Sequence, residues 1–218
     1  VALLAAALQF IMEPGYSSVI IRRTFKQLEA TDSIMDKADK WLSGLKYKGQ
    51  EAKWSAASHQ WTFPNGNKLS FRHMDKPKAL RDYQGGIWAT ICVDEASQFT
   101  EQMLSYPRTR QRRPAGSLLP MRWRGAGNPG DVGHEYLKAR YVKDVNGNPI
   151  TDPNLRFFPA TIEDNPHIDQ EDYIRSLINS GVDELTLAQL LRGDWDAVAG
   201  GRFHRTSFRN WYWRGDYI

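Results

Sequence analysis

One stretch constrains this chain more than any other: Trp88-Ala89-Thr90-Ile91-Cys92-Val93-Asp94-Glu95-Ala96. A short, continuous apolar run rich in β-formers reads as a strand buried on both faces. Such a strand belongs in a parallel sheet with helices packed on either side. The run then stops at two carboxylates. Acids at a strand's carboxyl end are placed to associate with a hydrated divalent cation and to activate water. The plainer alternative is that two acids merely terminate a strand.

The flanking elements support the layered reading. Residues 1–12 form an apolar segment that ends at Glu13-Pro14-Gly15; it has no basic leader and is too short to span a bilayer. It reads as a helix packed on a sheet. Ser18-Val19-Ile20-Ile21-Arg22 reads as a buried strand, followed by a helix from Phe25 to Leu42 that Thr24 caps. Two alternating runs around Pro64-Asn65-Gly66-Asn67 predict a hairpin at the sheet edge. A short polar helix over Asp75–Tyr83 leads to the Trp88 strand. Beyond it the pattern predicts a helix over Thr100–Thr109 disturbed by Pro107, a strand over Leu119–Gly125, a helix over Glu135–Tyr141 and a last strand over Arg156–Ala160. Two helices follow, over Asp169–Asn179 and Asp183–Leu191, with Gly181 and Gly193 as terminators and an aromatic tail from Trp195 to Trp213. The fold class is therefore α/β: a mostly parallel sheet flanked by helices, with a small carboxyl-terminal helical subdomain.

Charge and cysteine content narrow the chemistry. The net charge is +4 and the pI about 9.1, which favours a polyanionic partner. Distribution says more: residues 108–124 hold six arginines (Arg108, Arg110, Arg112, Arg113, Arg122, Arg124) and no acid. Guanidinium groups pair with phosphate oxygens, so this group could face a nucleic-acid duplex, reach a neighbouring subunit's nucleotide, or form a solvated basic face. The single cysteine, Cys92, excludes an internal disulfide and suits a reducing compartment. Five scattered histidines have no metal-ligand spacing, and no Gly-x-Ser-x-Gly segment announces a serine nucleophile.

Three further positions are candidates. Asn128, in Gly127-Asn128-Pro129-Gly130, follows the next strand and would lie beside the tip of the Asp94 strand, where α/β sheets bind ligands. It could contact a terminal phosphate, or it could be an ordinary Asn-Pro turn. Arg22 and Arg23 close the first strand and could approach a nucleotide. Arg81 stands just upstream of the acidic strand. Asp194 and Asp196 follow a helix end and read as structural, and nothing places Asp131 beside Asp94.

With these pieces in order, the chain resembles the ATPase portion of the large terminase subunit of tailed bacteriophages and prophages. The matching residues are Val19-Ile20-Ile21-Arg22-Arg23-Thr24, Thr90-Ile91-Cys92-Val93-Asp94-Glu95-Ala96, Gly127-Asn128-Pro129-Gly130 and Phe158-Pro159-Ala160-Thr161-Ile162-Glu163-Asp164-Asn165-Pro166. Leu190-Leu191-Arg192-Gly193-Asp194-Trp195, with Gly200-Gly201 and Phe203 behind it, resembles the segment leading out of that ATPase. The resemblance implies a P-loop NTPase-like fold, with Asp94 as the Walker B aspartate at Mg2+, Glu95 as the catalytic glutamate acting on ATP, and Asn128 in the coupling motif. It implies double-stranded DNA, a portal protein and a small terminase subunit as partners, a homo-oligomeric ring, and the host cytoplasm without a membrane. One arginine among Arg81, Arg108, Arg110, Arg112 and Arg113 would act in trans or on DNA.

Two departures from the family pattern shape the expectation. No Gly-Lys-Ser or Gly-Lys-Thr segment is present, and Val1-Ala2-Leu3-Leu4-Ala5 looks like the helix that follows a Walker A loop. The expectation is a chain starting just after the phosphate-binding lysine, with an ATPase-like core over 1–166 and a helical linker over 167–218. It would stop where a nuclease would begin and be inactive in isolation. The alternatives are a DNA- or protein-binding module that keeps the motor fold, and a helicase-like ATPase, disfavoured because no second motor domain follows.

Overall fold

The computed structural model describes residues 1–197. The expectations on Gly200, Gly201, Phe203, His204, Phe208, Trp211, Tyr212 and Trp213 lie outside the described residues. The chain divides into two compact units, Val1–Arg156 and a second that begins at Phe157, ten residues before the expected change at 167.

The first unit is built on a six-stranded sheet. Helix α1 (Ala2–Leu8) precedes β1 (Ser17–Arg22), and α2 (Phe25–Glu29) and α3 (Ile34–Leu42) follow it. A two-stranded ribbon, β2 (Lys46–Tyr47) and β3 (Gln50–Glu51), leads to β4 (Lys53–Ser55), β5 (Gln60–Thr62) and β6 (Lys68–His73). Then come β7 (Thr90–Val93), α4 (Glu101–Ser105), β8 (Arg122–Gly125) and α5 (His134–Leu137). The sheet order is β4-β5-β6-β1-β7-β8, in which β6, β1, β7 and β8 are parallel and β4 and β5 pair antiparallel at one edge. The register aligns Val19 with Ile91 and Ile91 with Trp123.

The central strands are apolar because both faces are covered. Val19, Ile20, Ile91 and Cys92 are completely buried, and Leu4 and Ala7 of α1 join Ile20 and Cys92 in one core. Burying each such Leu or Ile side chain contributes about 1.5–3 kcal/mol. Polar ties fix α1 in place: the Tyr16 hydroxyl donates to the Ala7 carbonyl at 2.9 Å, and Asn67 donates through Nδ2 to the carbonyls of Ile11 and Glu13. The predicted hairpin is present, with Gly66 at φ 84° and the Phe63 amide closing onto the Asn67 carbonyl at 2.9 Å.

Several elements differ from expectation for local reasons. The helix expected over Phe25–Leu42 is two helices. Thr24 and Gln27 form a capping box on α2, Asp32 turns left-handed at φ 61°, and Ser33 caps α3 by accepting from the Asp36 amide. Side-chain caps of this kind compete with helix propagation. Strand β8 begins only at Arg122, because Pro120 has no amide to donate to a ladder. The 75–83 helix is a 3₁₀ turn over Pro77–Tyr83, and α5 passes into a π-helical turn over Lys138–Val142. Residues 156–160 form no strand; Pro159 again removes a donor.

In the second unit, α6 (Gln170–Asn179) and α7 (Glu184–Arg192) have Asp169 and Asp183 as N-caps, each accepting from a backbone amide. Gly193 ends α7 in the left-handed conformation at φ 57°.

Candidate active site

The two carboxylates sit where β7 leaves the sheet. The Asp94 amide still donates to the Ile21 carbonyl at 2.9 Å, so Asp94 keeps the register with β1. Glu95 then turns left-handed, at φ 52° and ψ 52°, a conformation that costs a side-chain-bearing residue about 1–2 kcal/mol. The turn swings the chain toward the tip of β8. There the Ala126 amide donates to the Val93 carbonyl at 3.0 Å, and the Ala96 amide donates to the Ala126 carbonyl at 2.8 Å. A Cβ on Gly127 would lie 2.9 Å from the Ala96 nitrogen and 3.3 Å from the Glu95 Cα. Glycine at 127 therefore lets the two strand tips touch, backbone to backbone.

Asn128 follows directly, exposed, with the buried Pro129 behind it. The loop is fastened again at its far end. The Gly133 amide donates to the Ser97 carbonyl at 2.7 Å, and a Cβ on Gly133 would meet the Phe99 carbonyl oxygen at 2.3 Å. The Asp94–Ser97 turn and the Ala126–His134 loop thus form one fastened pair. The Asp-Glu stop is a left-handed turn held against a second loop.

Charge in this pair is asymmetric. Arg22 Nε lies 3.4 Å from Asp94 Oδ2, and Arg22 Nη2 lies 4.0 Å from Glu95 Oε1. Nε makes no aligned hydrogen bond, so this is a charge contact rather than a fork. The Arg22 head group is held instead by Nη1 donating to the Gln27 carbonyl at 3.1 Å. Burial raises the Glu95 pKa above the ordinary carboxylate range; the adjacent Asp94 charge and Asp131 raise it further, and Arg22 offsets part of that. Burial pushes the Cys92 thiol up to about 12, which makes it unreactive.

A cleft of about 270 Å³ opens beside Asp94, lined by Arg22, Asp32, Lys37 and Ala126 and by the start of α1 at Val1–Leu3. Its carboxylate oxygens suit a hydrated magnesium ion, which keeps most of its waters and needs few protein ligands. No group of three or more His, Cys, Asp or Glu side chains is gathered for a metal among the described residues.

The other sequence candidates lie apart from this cluster. Arg23 donates to the Met74 carbonyl and to Met103 Sδ, both at 3.2 Å, and lies against the Phe99 ring. Arg81 is exposed on the 77–83 turn. Arg108 donates to the Tyr141 hydroxyl at 3.0 Å and faces Trp123, whose ring stacks on Tyr141 at 5.3 Å. Arg110 is tied to Tyr106; Arg112 and Arg113 are both exposed, and Arg113 donates to the Leu119 carbonyl. Two residues of the cluster escaped the sequence reading. The Asp131 charge contributes to raising the Glu95 pKa, and His134 accepts the Gly130 amide within the Asn128 loop. The only signal for either was the glycine spacing Gly127, Gly130, Gly133 around them.

The class this defines is a mixed α/β fold, a mostly parallel six-stranded sheet flanked by helices, in which a buried strand ending in Asp-Glu touches a Gly-Asn-Pro-Gly strand tip. The chain belongs to the family described as "Terminase large subunit, T4likevirus-type, N-terminal", whose model matches residues 1–210. It is similar in structure to the large terminase of a thermophilic bacteriophage, at 15% identity and a TM-score of 0.65 over 88% of this chain and 44% of that one. The same phage protein in complex with ADP matches with the same figures. The ATPase domain of the Thermus phage P74-26 large terminase matches at 13% identity and a TM-score of 0.52, over 89% of this chain and 82% of that domain. A search of curated proteins found no match. The chain spans less than half the length of the first of these terminases.

Proposed function

We propose that these residues form the ATP-hydrolysing motor portion of a terminase that packages double-stranded DNA. The observation that supports the reading is the backbone contact between the two strand tips, which brings the Asp94–Ala96 turn against Ala126 and Gly127 beside a cleft lined by Asp94 and Ala126. In this reading Asp94 would hold hydrated Mg2+, whose charge would offset that of the phosphates. Glu95 orients and deprotonates the attacking water. Its raised pKa makes it a stronger base than a solvated carboxylate. Arg22 balances the two acids rather than gripping the nucleotide. Asn128 contacts the terminal phosphate or the water and passes its loss to the loop.

The 218 residues contain no Gly-Lys-Ser or Gly-Lys-Thr, so we expect the isolated polypeptide to turn over little ATP. The proposed core is 1–166, followed by a linker over 167–218 that carries α6 and α7. Arg112, exposed on the basic segment, is the favoured DNA-facing or trans-acting arginine, because Arg108, Arg110 and Arg113 have partners within the fold. A portal protein, a small terminase subunit and further copies in a ring complete the proposed assembly, acting in the host cytoplasm. Among the described residues no helix is long and apolar enough to cross a membrane.

The deciding experiment is ATP hydrolysis by the gene product carrying these residues. Glu95→Gln should lower kcat by roughly 10²–10⁴-fold while ADP affinity stays within about threefold. An unchanged kcat would exclude Glu95 from the chemistry.

A further inference from the structure

His134 is 5% exposed, yet it opens a helix and its ring points back into the loop before it. Its Nδ1 accepts the Gly130 amide at 2.9 Å. An imidazole nitrogen that accepts carries no proton, so the neutral ring holds its hydrogen on Nε2. That nitrogen lies 3.6 Å from Glu135 Oε1, where a proton is electrostatically favoured. Gly130 has φ 115°, outside the range most side chains adopt, so its amide direction is set by the loop rather than by a regular element.

The hydrogen bond has a topological consequence. Backbone bonds fasten the loop at Ala126 and at Gly133, but the bend between them carries Asn128 and is exposed except for Pro129. We propose that His134 is the positioning residue of this loop: by accepting the Gly130 amide through Nδ1, it fixes the bend that carries Asn128. This deepens the hydrolytic reading above and rests on it for the role of Asn128, whereas the latch itself is a property of the chain without nucleotide. Glycine at 133 serves the same end, since only a residue without Cβ lets the His134 helix start against the Ser97 and Phe99 carbonyls.

The test compares the 218-residue chain with His134→Leu, which keeps bulk and removes the acceptor, and His134→Asn, whose Oδ1 can stand where Nδ1 stood. Amide exchange is read at Gly130, with Ile20 and Ile91 as controls in the buried sheet. Loss of one hydrogen bond should speed Gly130 exchange on the order of tenfold in the Leu variant, leave the controls unchanged, and be largely restored in the Asn variant. Equal Gly130 exchange in all three proteins would overturn the latch. Should the Leu variant fail to fold, the imidazole ¹⁵N spectrum of the unaltered chain decides: an Nε2–H tautomer with hydrogen-bonded Nδ1 is expected, and an Nδ1–H tautomer refutes it. Because no nucleotide is involved, failure here leaves the role of Glu95 standing. Loss of hydrolytic activity on its own would likewise leave the latch standing.

Discussion

Glu95 is held in a conformation and an environment that both disfavour it, so replacing it should stabilise the fold. The left-handed backbone costs about 1–2 kcal/mol for a residue with a side chain. Glycine removes that cost but adds about 0.5–1 kcal/mol of unfolded-state entropy. The Arg22 contact at 4.0 Å is long and partly exposed, and contributes less than about 1 kcal/mol. Relief of burial and of repulsion by Asp94 acts in the same direction as the backbone relief. Glu95→Gly should therefore gain roughly 0.5–1 kcal/mol, which raises Tm by about 1–4 °C for a chain of this size. Glu95→Gln separates the charge from the backbone, because it keeps the strain. The folded chain binds a proton at Glu95 more tightly than the unfolded chain, since its folded pKa is raised. Stability therefore falls as pH rises from the ordinary carboxylate pKa, about 4.3, through the raised folded value. The Gln variant should match the unaltered chain near pH 4 and exceed it at pH 7.5. Urea unfolding at both pH values measures this. A Gln variant no more stable at pH 7.5, or equally favoured at both pH values, would refute the electrostatic argument; a destabilised Gly variant would refute the strain argument.

The remaining predictions concern the loops and the basic segment. Gly133→Ala places a methyl 2.3 Å from the Phe99 carbonyl oxygen, and should cost about 1–3 kcal/mol in urea unfolding; a neutral result would mean that α5 slides freely. Arg108→Ala breaks the tie to Tyr141 and the Trp123 face, so it should lose about 1–2 kcal/mol of stability. Arg112→Ala should leave stability within about 0.5 kcal/mol but reduce the salt dependence of duplex binding by about one ion. The reverse pattern for these two arginines would show that the exposed position is not the DNA-facing one.

What the sequence made legible follows from how locally each feature is encoded. The buried strands β1 and β7, the Asn65-Gly66 hairpin and the two helices expected from Asp169 and from Asp183 each depend on a few adjacent residues, and each is present. The break at Asp32-Ser33 was less visible, because the apolar spacing of Leu28, Met35, Ala38 and Leu42 persists across it while the caps at Thr24 and Ser33 divide the backbone. Arginine-rich residues 108–113 showed their charge but not their partners. Tyr106, Trp123 and Tyr141 come from three separate elements, and only the tertiary fold brings them to the guanidinium groups. His134 is the same case on a smaller scale, since a lone histidine four residues beyond Gly130 has no pattern to announce it.

The central claim is that Glu95 and Asn128 address one terminal phosphate. A crystal structure of the gene product carrying these residues, with Mg2+ and a non-hydrolysable ATP analogue, tests it directly. The γ-phosphate should lie in the cleft beside Asp94, with one water between it and Glu95 and the Asn128 amide within hydrogen-bond reach of the phosphate or that water. A nucleotide seated elsewhere on the sheet, or a γ-phosphate that neither side chain approaches, would contradict it.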